Sequence, residues 1–131
     1  MGKFRKIGVL TSGGDAPGMN AAVRSVVRAA LHHGVEVYGI RRGWNGLISG
    51  DIVRLDEKSV SRTINKGGTI LYTARSKEFM TEEGQRKGAS TCKFLGLDSI
   101  IAIGGDGTFR GAQALSKFGI NVIGIPATID N

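Results

Sequence analysis

Short apolar runs rich in β-branched residues alternate along this chain with segments whose apolar residues recur at helical spacing. The runs predict four strands, at Ile7–Leu10, Val35–Ile40, Ser99–Ile103 and Asn121–Ile125. The last two runs are apolar at nearly every position, which is typical of strands buried on both faces. Because strands and helices alternate, the pattern predicts an α/β fold with a largely parallel sheet and helices on both faces.

The segments between these strands predict three helices. In the first, the apolar residues recur every three or four positions: Met19, Val23, Val26, Val27, Ala30 and Leu31. Gly34 is suited to cap its C-terminus. Thr81 favours the start of a second helix that ends near Gly96. The third is expected to begin at Phe109 and to be capped by Gly119.

The pattern is weaker between the second and third predicted strands. We expect residues 42–58 to be irregular, apart from a short strand at Ile52–Leu55, and we expect a short helix at Val60–Asn65. Trp44 then lies in a loop, where a half-buried anchor is a simpler interpretation than a contact with a partner.

Glycine is unusually frequent, with 21 among 131 residues. The glycines cluster at 13–18, 43–50, 67–68 and 104–111, which indicates functional turns rather than a flexible linker. In a parallel sheet, turns that follow strands open at the carboxyl edge, where ligands bind. The glycine-rich turns are therefore expected to share one edge.

Charge and cysteine content narrow the class of partner. The formal charge of +7 favours anions, but the chain has no zinc-ligand spacing and no arginine-rich tail, so phosphorylated small molecules fit better than nucleic acid. The single Cys92 excludes an internal disulfide framework. No apolar run approaches the roughly 20 residues of a membrane span. We expect a soluble cytoplasmic protein that binds neither nucleic acid nor membranes.

The stretch Ile100–Phe109 is the most informative part of the chain. Its apolar run breaks into three glycines around one carboxylate, Asp106, just before a helical segment. Glycine allows backbone N–H groups to approach a bulky anion, and a helix N-terminus favours phosphate. A carboxylate fits beside a phosphate when a metal ion lies between them. The stretch therefore predicts a site for Mg²⁺ and a nucleotide, with Asp106 as the metal ligand.

The turn over residues 11–20 also connects a strand to a helix. Gly13 and Gly18 have the spacing of the two glycines of a P-loop, but Met19 and Asn20 occupy the places of its lysine and hydroxyl residue. No G-x-G-x-x-G is present, which disfavours dinucleotide binding. The turn can present N–H groups to an anion, and an ordinary tight turn explains it equally well.

Other charged residues suit a phosphate site, each with a simpler alternative. Arg75 could brace a transferring phosphoryl group, or it could be a solvated surface arginine. Asp130 follows the last predicted strand, at the carboxyl edge of the sheet. It could accept a proton while Asp106 holds the metal, or it could belong to a frayed chain end. Arg24 and Arg28 form a basic helix face, for which solvation is the default interpretation.

Taken together, the motifs resemble the N-terminal part of the bacterial, ATP-dependent 6-phosphofructokinases. The resemblance runs from Ile7 to the last residue, and four segments carry it: Ile7–Asn20, Asn65–Arg75, Ile103–Thr108 and Pro126–Asn131. It implies a three-layer, Rossmann-like α/β domain that binds Mg²⁺ and ATP over residues 1–131, with a second, substrate-binding domain outside these residues. It also implies transfer of the γ-phosphoryl group of Mg·ATP to the 1-hydroxyl of fructose 6-phosphate, a glycolytic reaction.

The resemblance implies roles for individual residues. Gly13 would present its N–H to the phosphoryl group, Arg75 would stabilise transition-state charge, and Asp130 would be the general base. The residues implied for the nucleotide are Gly13, Arg75, Ser76, Gly105, Asp106, Gly107 and Thr108. Asp106 would also hold Mg²⁺. The residues implied for the sugar phosphate are Thr128, Ile129 and Asp130.

Two positions bear on the phosphoryl donor. Pyrophosphate-using relatives have an acidic residue in place of Gly107 and a lysine in place of Ala127. A side chain at 107 would fill the space of the α-phosphate, whereas glycine leaves room for a whole nucleotide. Both residues favour ATP, although Ala127 departs from the glycine common in ATP-dependent members.

The resemblance also implies regulation and assembly. Arg24 and Arg28 match residues that bind a phosphorylated effector between subunits, with Lys58 and Ser59 nearby. Glu57 stands where those members have a further arginine, so we expect altered binding of ADP or another phosphorylated effector. The full-length protein would be a homotetramer.

Two alternatives remain open at this stage. The NAD-kinase and diacylglycerol-kinase group also carries a Gly-Gly-Asp-Gly-Thr turn after a strand, but the segments at Ile7–Asn20 and Pro126–Asn131 are not expected there. The other alternative is a non-catalytic domain that binds or senses a nucleotide. As an isolated polypeptide, the chain is expected to be inactive.

Overall fold

The computed structural model describes residues 5–12, 19–58 and 77–126, without the side chains of residues 19 and 20. All the strands predicted within these ranges are present, with bounds that differ by one residue at most. They are β1 (Lys6–Thr11), β2 (Glu36–Ile40), β3 (Ile52–Leu55), β4 (Ser99–Gly104) and β5 (Val122–Pro126). The short helix expected at Val60–Asn65 lies outside the described residues.

The strands form one sheet in the order β3-β2-β1-β4-β5. β2 and β4 run parallel to β1, and β5 runs parallel to β4, whereas β3 is antiparallel to β2. The chain therefore builds one half of the sheet outward from β1 and then returns to its other side. That arrangement creates a switch point between β1 and β4, where open α/β sheets bind ligands.

Helices connect the strands, and three of the four were predicted from the spacing of apolar residues. They are α1 (Met19–His32), α2 (Gly43–Ser49), α3 (Glu82–Leu95) and α4 (Asp106–Ser116), and a 3-10 turn at Glu78–Met80 precedes α3. Two predicted ends of α3 are confirmed: the Thr81 hydroxyl accepts a hydrogen bond from Gly84 N at 3.0 Å, and Gly96 caps the C-terminus with φ +72°. Gly34, which follows α1, has φ +75°, as a C-terminal cap requires.

The prediction of irregular structure over residues 42–58 is wrong for α2. Arg42 and Gly43 adopt φ values of 63° and 59°, so the chain enters this helix through a left-handed turn. Trp44 and Leu47 are buried one turn apart. Gly46 packs where a Cβ would overlap the Arg41 carbonyl, so a residue of low helix propensity is required inside the helix.

The predicted ends of α4 also need correction. The helix begins at Asp106, three residues before Phe109, so the carboxylate lies inside its first turn. It ends at Ser116 with Lys117 as the C-cap, not Gly119. Gly119 instead supplies the positive φ of 86° in the turn that leads to β5.

Apolar residues form one core on each face of the sheet, which confirms the expected layers. The core beneath α1 consists of Ile7, Val9, Val23, Val27, Val37, Leu55 and Ile103. The core beneath the other helices consists of Leu10, Ile40, Trp44, Leu47, Phe79, Ala89, Cys92, Leu97, Ile100, Ala102, Leu115 and Ile120. Cys92 packs there as a small apolar residue, as predicted, and burial raises its thiol pKa to about 12.

The expectation that both late strands are buried on both faces holds for β4 and is wrong for β5. Ile100 and Ile103 are fully buried, whereas Ile123 is 42% exposed. Within the described residues β5 pairs only with β4, so it is an edge strand. Apolar sequence alone does not distinguish an edge strand from an interior one.

Candidate nucleotide site at the switch point

A backbone hydrogen bond of Ser12 joins the carboxyl end of β1 to β4. Its N–H donates to the Ile103 carbonyl at 3.0 Å, which extends the pairing of the two strands. Ser12 is buried and directly precedes Gly13. The carboxyl ends of β1 and β4 therefore lie side by side at the switch point.

The turn after β4 passes directly into α4. Gly105 is the N-cap residue and makes no side-chain cap, and its carbonyl accepts from Phe109 N at 3.1 Å. The first N–H groups of an α-helix have no carbonyl partner inside the helix, and they carry partial positive charge. The N-terminus of α4 is thus a suitable position for an anion at the sheet's carboxyl edge.

The glycines of this turn have different surroundings. A Cβ at Gly104 would overlap the Thr108 side chain and the Ser12 carbonyl. At Gly107 a Cβ would meet none of the atoms in the described ranges within 4 Å. Gly104 is therefore required by packing inside the protein, whereas Gly107 leaves open space above the first turn of α4.

Asp106 is exposed in the first turn of α4, where its negative charge also interacts favourably with the helix dipole. No group of three or more metal-ligating side chains occurs among the described residues. Mg²⁺ is commonly held by one or two carboxylates together with phosphate oxygens and water. Asp106 fits such a shared ion and does not form a closed protein cage.

Thr108 differs from the other residues of the motif because it is only 1% exposed. Its hydroxyl donates to the Ser12 carbonyl at 3.1 Å. The resemblance implied that Thr108 belongs to the nucleotide site. In the structure its side chain lies beneath the surface of that site.

A basic pair at the carboxyl end of β2 was not identified from the sequence. Asp51 Oδ1 lies 3.1 Å from Arg41 Nε, and Asp51 Oδ2 lies 3.6 Å from Arg42 Nε. Gly43 packs against the end of β1, with its Cβ position 3.0 Å from the Thr11 carbonyl oxygen. The two arginines and Asp51 together therefore leave one net positive charge at the sheet edge that carries the α4 N-terminus.

Trp44 is a buried core residue and not a half-buried loop anchor. Its ring stacks on Phe79 with centroids 4.7 Å apart and planes 8° from parallel. Its indole also lies against Gly111 of α4. Trp44, Phe79 and Gly111 thus form a cluster that packs against the rest of α4. Its members are too far apart in sequence for hydrophobic periodicity to reveal it.

Residues 6–131 match the family model described as phosphofructokinase. The chain belongs to the phosphofructokinase family. This membership confirms the resemblance and decides against the NAD-kinase and diacylglycerol-kinase group.

Curated relatives of the phosphofructokinase family agree. The chain is 61% identical over 128 residues to an ATP-dependent 6-phosphofructokinase of Clostridium botulinum, a match that covers 98% of this chain and 40% of the relative. The corresponding enzyme of Halalkalibacterium halodurans is 59% identical over the same 128 residues and coverage. The chain therefore spans about 40% of the length of the relatives that it matches.

Solved phosphofructokinases confirm the fold. The Pichia pastoris enzyme in its T-state superimposes with a TM-score of 0.90 at 36% identity, over 100% of this chain and 16% of that one. A pyrophosphate-dependent phosphofructokinase of Nitrosospira multiformis gives a TM-score of 0.83 at 19% identity, over 97% of this chain and 34% of that one. At that identity the second match shows the fold alone.

The structure describes only part of the site that the resemblance to phosphofructokinases implies. Gly105, Asp106, Gly107 and Thr108 share one helix N-terminus beside the end of β1. The residues implied for catalysis, the sugar and the rest of the nucleotide site lie outside the described residues: Gly13, Arg75, Ser76, Thr128, Ile129 and Asp130. Ala127 lies outside them too.

The residues implied for an effector are only partly described. Arg28 is exposed on α1, opposite the buried Val23 and Val27. Arg24 is half-buried, and its Nε has no hydrogen-bond partner among the described residues. Lys58 is exposed, and Ser59 lies outside the described residues. Within the part of the chain that the structure describes, no helix is long and apolar enough to cross a membrane.

Proposed function

We propose that this chain is the nucleotide-binding and Mg²⁺-binding domain of an ATP-dependent 6-phosphofructokinase. The reaction is transfer of the γ-phosphoryl group of ATP to the 1-hydroxyl of fructose 6-phosphate, giving fructose 1,6-bisphosphate and ADP. The observation that carries the proposal is the N-terminus of α4, which places exposed Asp106 and the open space over Gly107 at the β1–β4 switch point.

The described residues have distinct parts in this proposal. The first-turn N–H groups of α4 bind phosphate oxygens, and they need no reorganisation because the helix fixes them. Asp106 holds Mg²⁺, which when bound neutralises charge on the phosphates. Arg41 and Arg42 together exceed the charge of their shared partner Asp51, so a net positive charge remains at the same sheet edge and favours a polyanionic ligand.

The remaining parts of the proposal rest on sequence motifs. Gly13 presents its N–H to the phosphoryl group, Arg75 stabilises transition-state charge and Ser76 joins the nucleotide site. Thr128 and Ile129 contact the sugar phosphate, and Asp130 takes the proton of the attacking hydroxyl. All these residues lie in segments that carry the resemblance or directly adjoin one.

ATP is the proposed donor on two grounds. The relatives at 61% and 59% identity are named as ATP-dependent enzymes, whereas the pyrophosphate-dependent structures are at 17% and 19% identity. The empty space over Gly107 is consistent with a donor that extends past its β-phosphate.

The deciding experiment is a coupled assay of the complete protein that carries this sequence, with fructose 6-phosphate and either ATP or pyrophosphate. We expect turnover that requires both Mg²⁺ and ATP. Turnover with pyrophosphate alone would overturn the choice of donor. Nucleotide binding without any turnover would favour a sensing domain.

The chain spans 40% of its relatives, so we further propose that residues 1–131 need a second, substrate-binding domain for activity. The isolated chain should bind nucleotide without phosphorylating fructose 6-phosphate. The complete protein is proposed to be a homotetramer with an effector site at Arg24, Arg28, Lys58 and Ser59. An ADP titration of the complete enzyme, with its mass measured by light scattering, tests both proposals. Ordinary activation by ADP would contradict the expected effect of Glu57.

A further inference from the structure

One buried hydrogen bond joins the two glycine-rich turns at the switch point. Thr108 Oγ1 donates to the Ser12 carbonyl at 3.1 Å, although the two residues are 96 positions apart. The Ser12 N–H donates to the Ile103 carbonyl at 3.0 Å. Both backbone groups of Ser12 are therefore bonded to the segment formed by β4 and α4.

The space around this bond is completely used. Thr108 is 1% exposed and Ser12 is 8% exposed. The position of a Cβ at Gly104 is already occupied by the Thr108 side chain and the Ser12 carbonyl. The contact is thus a packed joint in which Gly104 makes room for Thr108.

The joint lies close in sequence to residues that belong to the proposed site. Thr108 lies two residues after Asp106 in the first turn of α4, and Ser12 directly precedes Gly13. A change in the joint would therefore move Asp106 and the first-turn N–H groups relative to Ser12 at the end of β1. The Thr108 side chain is too deeply buried to contact a ligand in this arrangement, and its one hydroxyl proton is already donated.

We propose that Thr108 is a positioning residue, which holds the N-terminus of α4 against Ser12 at the end of β1 so that Asp106 and the first-turn N–H groups are fixed where the polyphosphate binds. This inference rests on the proposed function. In phosphoryl transfer the transition state depends on donors placed at the reacting phosphates, whereas bound ATP is also held by contacts remote from them. A shift of the N-terminus of α4 therefore lowers kcat more than it weakens ATP binding.

The test compares Thr108→Val, which keeps the shape and removes the donor, with Thr108→Ser, which keeps the donor, in the complete protein. Steady-state kinetics with ATP and fructose 6-phosphate should show kcat reduced at least tenfold in Thr108→Val. The KM for ATP should stay within about threefold of the wild-type value. Thr108→Ser should recover most of kcat. Circular dichroism and melting curves confirm that each variant is folded at the assay temperature.

The other outcomes are also decisive. Wild-type kcat in folded Thr108→Val would overturn the positioning role, and a large rise in KM with unchanged kcat would indicate direct contact with the nucleotide. Thr108→Ala serves if Thr108→Val does not fold, and failure of both to fold would show a purely structural joint. Absence of wild-type activity would instead contradict the proposed function.

Discussion

Gly111 and Trp44 pack so closely that no side chain fits between them: a Cβ at position 111 would lie 2.6 Å from Trp44 Cε2. Trp44 in turn stacks on Phe79, which is 2% exposed. The contact fixes the distance between α4 and α2, which lie on the same face of the sheet. Since α4 also carries Asp106 at its N-terminus, packing in the core contributes to the placement of the candidate site.

Gly111→Ala should therefore destabilise the protein. A methyl group against an indole that cannot recede costs about 1–3 kcal/mol, which exceeds the gain of up to about 1 kcal/mol in helix propensity. The melting temperature of the complete protein, measured by calorimetry, should fall. Gly107→Ala is the matched control in the same helix, because its Cβ enters open space. Equal melting temperatures for the two variants would contradict the packing argument.

Thr81→Ala should remove the N-cap of α3. The Thr81 hydroxyl accepts from Gly84 N at 3.0 Å and donates to the Glu78 carbonyl at 2.6 Å, so its loss should cost about 1 kcal/mol. Thr91→Ala is the control within α3, since that hydroxyl only bonds back to the Lys87 carbonyl at 3.1 Å. Melting curves should show a lower transition for Thr81→Ala alone, and an equal fall in both variants would refute a capping role.

The strands and most helix ends were predictable because their causes are local. Apolar β-branched runs identified the strands, and Thr81, Gly34 and Gly96 have capping properties that depend on neighbouring residues. α2 was not predictable, since Trp44 is buried by Phe79, which lies 35 positions away in the sequence. The exposure of Ile123 depends on the place of β5 in the sheet order, which local sequence does not encode.

The candidate site shows the same division. Asp106 was predicted to lie just before a helix that begins at Phe109, whereas the structure places it inside the first turn of that helix. The separate roles of Gly104 and Gly107 could not be predicted from the sequence, because they depend on which atoms lie around each Cβ position. Nor was the burial of Thr108, which requires Ser12 from a segment 96 residues away.

Asp98 should make stability depend on acid pH. Its carboxylate accepts from Arg5 N at 2.6 Å and Lys6 N at 2.9 Å, and these backbone hydrogen bonds lower its pKa below the ordinary 3.8. A pKa that is lower in the folded state stabilises the protein above the unfolded value, and the effect is lost as pH falls through the folded value. The wild-type advantage in melting temperature over Asp98→Asn should therefore be present at pH 6 and shrink below pH 3.8. A difference in melting temperature that does not change with pH would contradict this role of the Asp98 carboxylate.

Asp106→Asn should weaken nucleotide binding only when Mg²⁺ is present. The substitution keeps the size of the side chain and removes the charge that the proposed function assigns to the metal ion. We expect at least a tenfold increase in Kd for Mg·ATP, about 1.4 kcal/mol, by isothermal titration calorimetry. Binding of ATP in EDTA should not weaken, because a negative charge near the phosphates is also removed.

Glu82→Gln is the matched control for Asp106→Asn, since Glu82 is an exposed carboxylate in the first turn of α3. It should leave both affinities unchanged. An equal loss of affinity in Asp106→Asn with Mg²⁺ and with EDTA would contradict a role in metal binding.

Gly107→Asp should discriminate between phosphoryl donors. A Cβ at position 107 would meet no atom of the described residues within 4 Å, so these residues should tolerate a side chain there, but its bulk and charge would enter the space proposed for the α-phosphate. We expect kcat/KM for ATP to fall at least tenfold in the coupled assay with fructose 6-phosphate. Gln113→Asp adds the same charge to an exposed position of α4 and should leave kcat/KM unchanged. Full activity of Gly107→Asp with ATP would show that the open space over this glycine is not used by the donor.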